Sequence, residues 1–112
     1  MAKEATELEN KIIDYINSIP HCFAYLQRSE GRKIGRQRVK AKKNEGVGKS
    51  DIIACVSGRF AAIEVKIDND TQSDNQVKYE NKINYAKGIY FIARYFKDFL
   101  CKFHEHFKGI FQ

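Results

Sequence analysis

The sequence has no apolar stretch approaching the roughly 20 residues needed to cross a bilayer, which argues against a membrane-spanning protein. Its opening, MAKEATELEN, has no apolar block of the secretory kind, so a cytoplasmic location is expected. Cysteine is scarce: Cys22, Cys55 and Cys101 are odd in number, widely spaced and set among apolar neighbours. That pattern predicts buried, reduced thiols rather than a disulfide framework. Neither a Cys-x-x-Cys nor a His-x-x-x-His spacing occurs, so a closed zinc site is not expected, and the HEH at 104–106 is assigned to the last helix or its end. Internal repeats and low-complexity segments are also missing. The stretch GVGKS has glycines and a lysine but lacks the four-residue spacer of a phosphate-binding loop, and a strand follows where that loop needs a helix.

What is present fits one small domain, residues 1–112, with 43% hydrophobic and 30% charged residues supplying an ordinary core and surface. The formal charge is +6 and it is unevenly spread. Residues 28–49 hold nine Lys or Arg against Glu30 and Glu45, a local balance of +7, which leaves −1 for the rest of the chain. A basic stripe on a near-neutral domain is the electrostatic footprint of a polyanion binder; a solvated basic loop has the same composition.

Apolar residues at helical spacing (Leu8, Ile12, Tyr15, Ile16, Ile19), closed by Pro20, predict an amphipathic helix from about residue 5 to 18. HCFAYLQRS alternates like a strand, EGRKIG reads as a turn, and an extended RQRVKAK would project Arg36, Arg38, Lys40 and Lys42 from one face. In DIIACVSGRFAAIEVK, a tight turn at Ser57 and Gly58 would set a hairpin whose paired residue numbers sum to 115. Ser73 and Gln76 form a capping-box signature and Gly88 is placed to end the helix they begin. IYFIARY is β-prone, and Asp98 is placed to cap a last helix bearing Phe99, Leu100, Phe103 and Phe107 on one side. The order helix, strands, helix, strand, helix predicts an α/β fold with helices packed on a sheet. Most tyrosines and phenylalanines fit core periods, so core packing is expected of them in preference to base stacking.

The hairpin carries the chemistry. Its register sets Asp51 opposite Glu64, and like charges in directly opposed positions destabilise a sheet. A hard divalent cation such as Mg²⁺, which takes oxygen ligands and keeps several waters, would relieve that repulsion. Lys66 follows Glu64 on the same face, where an ammonium could stabilise charge developing on a phosphate or hold an attacking water. An ordinary ion-pair cluster would use the same three residues, but Ile63, Val65 and Ile67 on the other face indicate a packed strand.

GVGKSD followed by GRFAAIEVK resembles the GxxxxD and ExK elements of the PD-(D/E)XK nuclease superfamily, in particular the VRR-NUC family, and is similar to archaeal Holliday-junction resolvases. The likeness runs from about residue 9 to 99. It implies a small central mixed β-sheet flanked by helices, a restriction-endonuclease-like core of α-β-β-β-α-β type. It further implies that Asp51 and Glu64 ligate Mg²⁺ or Mn²⁺ with the Val65 carbonyl as another oxygen, that Lys66 is the catalytic lysine, that Glu9 is the helical acid (Glu7 being its rival), and that Gln76 is the helix glutamine with Tyr79 beside it. Ser50 stands where many members carry proline. The expected activity is metal-dependent hydrolysis of phosphodiester bonds by a DNA endonuclease, on double-stranded or branched DNA, by a homodimer. Arg36, Arg38, Lys40, Lys42 and Lys49 would contact phosphates. The competing expectations are a DNA-binding module that does not cut, using residues 28–49, and a restriction-type nuclease.

Overall fold

The computed structural model describes residues 3–27, 32–34, 37–39 and 48–110. The first helix, α1 (Lys3–Asn17), buries Leu8, Glu9, Ile12 and Ile16, the stripe that helical spacing selects. It stops before a turn at Pro20, where His21 takes a left-handed φ of 65° and Cys22 N–H donates to the Ile19 carbonyl at 3.2 Å. Strand β1 (Cys22–Leu26) follows, then two short strands, β2 (Arg32–Ile34) and β3 (Gln37–Val39), paired with each other as a separate antiparallel ribbon. Strands β4 (Ile52–Val56) and β5 (Arg59–Val65) form the central hairpin, α2 (Asp74–Tyr85) crosses over to β6 (Ile89–Ala93), and α3 (Phe96–His106) ends the fold.

The main sheet has the order β1-β4-β5-β6, antiparallel except for the parallel β5–β6 pair that the α2 crossover produces. This mixed four-stranded sheet with three helices is an α/β fold, and α1, β1, β4, β5, α2, β6 run in the α-β-β-β-α-β order. The hairpin has the expected register, with Ile52 opposite Ile63 and Val56 opposite Arg59. Ser57 (φ 51°) and Gly58 (φ 88°) form its loop, both in the left-handed region that a type I′ turn demands. At the exposed edge of β1 the Asn17 side chain bonds both backbone groups of Ala24 (2.8 and 3.2 Å), so α1 occupies pairing positions that would otherwise invite another strand.

Strand alternation sorts the side chains onto two unlike faces. One carries Ala24, Ile52, Ala54, Val56, Ala61, Ile63, Val65, Phe91 and Ala93, closed over by Leu8, Ile12 and Ile16 of α1 and by Phe99, Phe103 and Phe107 on the α3 side. Each fully buried phenylalanine there contributes about 1.5–3 kcal/mol by leaving water. On the other face, among the described residues, the buried hydrophobics are Ile53, Ala62 and Tyr90, with Tyr79 and Ile83 of α2 and Ile92 packed on them.

Four local expectations need correction, the first being EGRKIG, which is not simply a turn but carries β2 at Arg32–Ile34. Gly88 does not supply the left-handed residue that ends α2; Lys87 does (φ 72°), with Lys87 N–H to Asn84 O and Gly88 N–H to Ile83 O completing a Schellman motif. Gly88 instead sits in a tight space, where a Cβ would lie 3.0 Å from Ile83 Cγ2 and 3.2 Å from Phe60 Cδ2 and push these side chains aside by a few tenths of an ångström. Asp98 is not the N-cap of α3, which is Tyr95; it sits in the first turn and reaches back to accept from Arg94 N–H at 3.0 Å, while pairing with Lys102 at 3.2 Å. All three cysteines are free, but Cys55 and Cys101 are exposed and Cys22 only half-buried, since apolar neighbours in sequence do not fix which face a strand or helix residue takes. His104 and His106 lie in α3, as expected: His104 Nε2 is 2.7 Å from the Tyr15 hydroxyl, and His106 stacks on Phe91 at 5.3 Å. Among the described residues, no helix is long and apolar enough to cross a membrane.

Candidate active site

Asp51 stands one residue before β4, and its main chain still continues the sheet: its carbonyl accepts from Gln27 N–H at 2.7 Å. Its side chain then takes over from the ladder, Oδ2 accepting from Val65 N–H at 2.8 Å. A carboxylate held by a backbone amide of the neighbouring strand is fixed in position, which a loop aspartate would not be. The preceding loop is fixed as well. Gly48 has φ +84°, and a Cβ there would lie 2.5 Å from the Asn75 backbone, so only glycine lets this chain lie against the first turn of α2. Ser50, 1% exposed, donates to the Ile52 carbonyl at 3.1 Å, giving the position before Asp51 a structural role that needs no proline.

Glu64, 3% exposed, lies on the α2 side of the sheet near the end of β5. Its Oε2 accepts from Gln76 Nε2 at 3.1 Å and is 3.5 Å from Lys66 Nζ. Gln76 is brought there by the capping box, in which Ser73 Oγ accepts from Gln76 N–H and Gln76 Oε1 accepts from Ser73 N–H. The other carboxylate oxygen, Oε1, is buried and receives no hydrogen bond. Burial, and then the neighbouring Asp51 charge, push the Glu64 carboxyl up to about 8, against the opposing pull of Lys66. One ammonium therefore does not compensate the two acids.

Thus Asp51, Glu64, Lys66 and Gln76 are brought together, with Val65 N–H tying the two strands between them. Glu9 is placed differently. It is 1% exposed on the stripe of α1 that packs on the apolar face, whereas Glu64 points to the α2 face. Among the described residues no set of three His, Cys, Asp or Glu side chains is arranged to hold a metal. Its rival Glu7 is exposed on α1. Lys49 is half-buried beside the Gly48 turn. Arg38 falls within β3, and Arg36, Lys40 and Lys42 lie outside the described residues.

A neighbouring polar network was not foreseen. Gln72 Nε2 donates to Glu80 Oε1 at 3.0 Å and to the Tyr90 hydroxyl at 3.2 Å, with Tyr79 edge-on to Tyr90 at 6.1 Å. Burial first, with Glu64, Glu80 and Asp51 also raising it, holds the Tyr90 phenol at about 12. The signal lay in the register: Tyr90 pairs with Ala62, two residues before Glu64 and on the same face.

The donor set suits a hard cation. Two carboxylates, one with a buried oxygen lacking any donor, are oxygen ligands of the kind Mg²⁺ and Mn²⁺ take alongside waters. No family model matches this sequence, and no curated protein matches it either.

Proposed function

We propose that this chain is a metal-dependent endonuclease of the PD-(D/E)XK type, similar to the VRR-NUC family, that hydrolyses phosphodiester bonds in DNA. The observation that carries the reading is the meeting of Asp51, Glu64, Lys66 and Gln76 at one corner of the β4–β5 hairpin, with an acid pair left under-compensated. Asp51 and Glu64 would hold Mg²⁺ or Mn²⁺, with the Val65 carbonyl as the further oxygen that the resemblance suggests. The bound ion would supply Lewis-acid polarisation of a phosphate oxygen and a lowered water pKa.

The chain's own residues do the rest. Val65 N–H orients Asp51, and Gln76 and Lys66 orient the Glu64 carboxylate through Oε2. Lys66, the residue after β5, can stabilise charge developing on the phosphate or hold an attacking water in place. Glu9, buried on α1, would be the helical acid that the resemblance implies. The basic residues Arg36, Arg38, Lys40, Lys42 and Lys49 would neutralise phosphates of double-stranded or branched DNA, giving binding that weakens steeply with salt. A cytoplasmic protein working as a homodimer would suit two-strand cleavage.

The test is cleavage of supercoiled plasmid and of a four-way junction with Mg²⁺ or Mn²⁺. Wild type should cut, and Asp51→Asn and Lys66→Ala should each lose at least about a hundredfold in rate. Cleavage that both substitutions leave intact would remove this site. DNA binding with no cleavage of any substrate would favour a binding module in which Lys66 is only the ion-pair partner of Glu64.

A further inference from the structure

Among the described residues five large aromatic side chains are exposed, Tyr85 and Tyr95 at helix ends and three, Phe23, Tyr25 and Phe60, on the sheet face that carries the acid pair. Phe23, Tyr25 and Phe60 are 59%, 46% and 40% exposed. Phe23 and Tyr25 alternate with buried Ala24 on β1, and their rings sit 5.8 Å apart. Phe60 is placed on the same face by its approach to Gly88 at the end of α2. The register aligns them in rows across β1, β4 and β5: Phe23, Cys55, Phe60 in one row, then Tyr25, Ile53, Ala62, then the corner of Asp51 and Glu64. Successive rows on one face are two residues apart, about 7 Å. The aromatic rows therefore begin one step from the acid pair and continue a second step away.

Charge selects the occupant. The sequence between Gln27 and Gly48 carries the basic excess, and both anchors are at the acid-pair end: Gln27 bonds Asp51, and Gly48 lies against Asn75. A polyanion with exposed flat rings satisfies both features. In duplex DNA the base faces are already stacked on one another, whereas unpaired bases offer them to aromatic side chains.

We propose that this open face is a stacking platform for unpaired DNA nucleotides flanking the phosphate at the acid pair, so that the substrate is DNA with a single-stranded segment next to the cut. The proposal rests on the nuclease reading for the position of the cut, but base stacking is measured without cleavage. Oligonucleotides carrying 2-aminopurine, as single strands and as blunt duplexes, are titrated with protein in EDTA at low salt. Wild type should prefer the single strand and change its 2-aminopurine fluorescence on binding. The Phe23→Ala/Phe60→Ala double variant should bind the single strand at least about tenfold more weakly. Phe23→Leu/Phe60→Leu, which keeps an apolar surface but removes the rings, should lose the fluorescence change, with circular dichroism verifying the fold of both variants. Equal single-strand binding by wild type and the alanine variant, or tighter binding of blunt duplex than of single strand, would overturn the proposal. So would a wild-type dimer in sedimentation that the alanine variant converts to monomer. A wild-type protein that stacks bases but cuts no DNA upholds the platform and removes only the nuclease.

Discussion

The two faces of the main sheet are built from the same strands and solve opposite problems. On one, nine strand residues meet α1 and α3, and Phe99, Phe103, Ile12, Ile16, Ile52 and Ile63 reach zero exposure. On the other, α2 buries none of its own residues and covers the hydrophobics Ile53, Ala62 and Tyr90, leaving room for two acids, a lysine and three exposed rings. A fold of this size has one core to spend on stability. Closing one face tightly lets the other tolerate a buried acid that is poorly compensated, as functional corners commonly do.

That contrast can be broken at several points. Phe99→Ala on the closed face should cost about 3–5 kcal/mol, because a cavity remains where the ring packed against Phe91, Phe96, Phe103 and Tyr15; urea unfolding measures it. On the open side, Gly48→Ala should cost about 1–3 kcal/mol, since a left-handed backbone and the contact with Asn75 both oppose a methyl group. It should also loosen the corner that holds Asp51, visible as faster amide exchange at Val65. Removing the α2 cap with Ser73→Ala should cost about 1 kcal/mol and release Gln76 from its position over Glu64. Phe23→Ala, by contrast, should fall within about 0.5 kcal/mol of wild type, since its ring is already in water.

The acid pair adds a pH signature. The Glu64 carboxyl titrates near 8 in the folded protein and near 4.5 when unfolded, so between those values the folded state holds a proton that the unfolded state has lost. Its contribution to stability is therefore present in full below about pH 4.5 and disappears as pH rises towards 8. In EDTA, Glu64→Gln should gain stability over wild type as pH is raised from 5 to 8, with a limiting slope of about 1.4 kcal/mol per unit. A constant difference between the two proteins across that range would contradict the buried, under-compensated acid.

Much of this was legible in the sequence because it depends on period and register. The sum rule of the hairpin followed from Ser57 and Gly58, and it carried Asp51 to Glu64. The Ser73 and Gln76 box was local chemistry within four residues, and so it could be read directly. Whatever depended on which face an element presents was harder. The spacing sets Glu9 on the flank of the apolar stripe, and it is buried, but the sequence does not say which face of the sheet α1 covers. Core packing expected of most tyrosines and phenylalanines does not extend to Phe23 and Phe60, which the narrow cover that α2 provides leaves exposed. Gly88 and Asp98 were assigned to helix ends by residue type, while close approach to Phe60 and a bond to Arg94 set their actual roles.

The most direct measurement is Mn²⁺ binding followed by electron paramagnetic resonance, on wild type, Asp51→Asn and Glu64→Gln at pH 7.5. The acid pair predicts saturable binding by wild type that falls at least about tenfold in each variant, with DNA cleavage lost in parallel. Affinity for Mn²⁺ that is the same in all three proteins would contradict it.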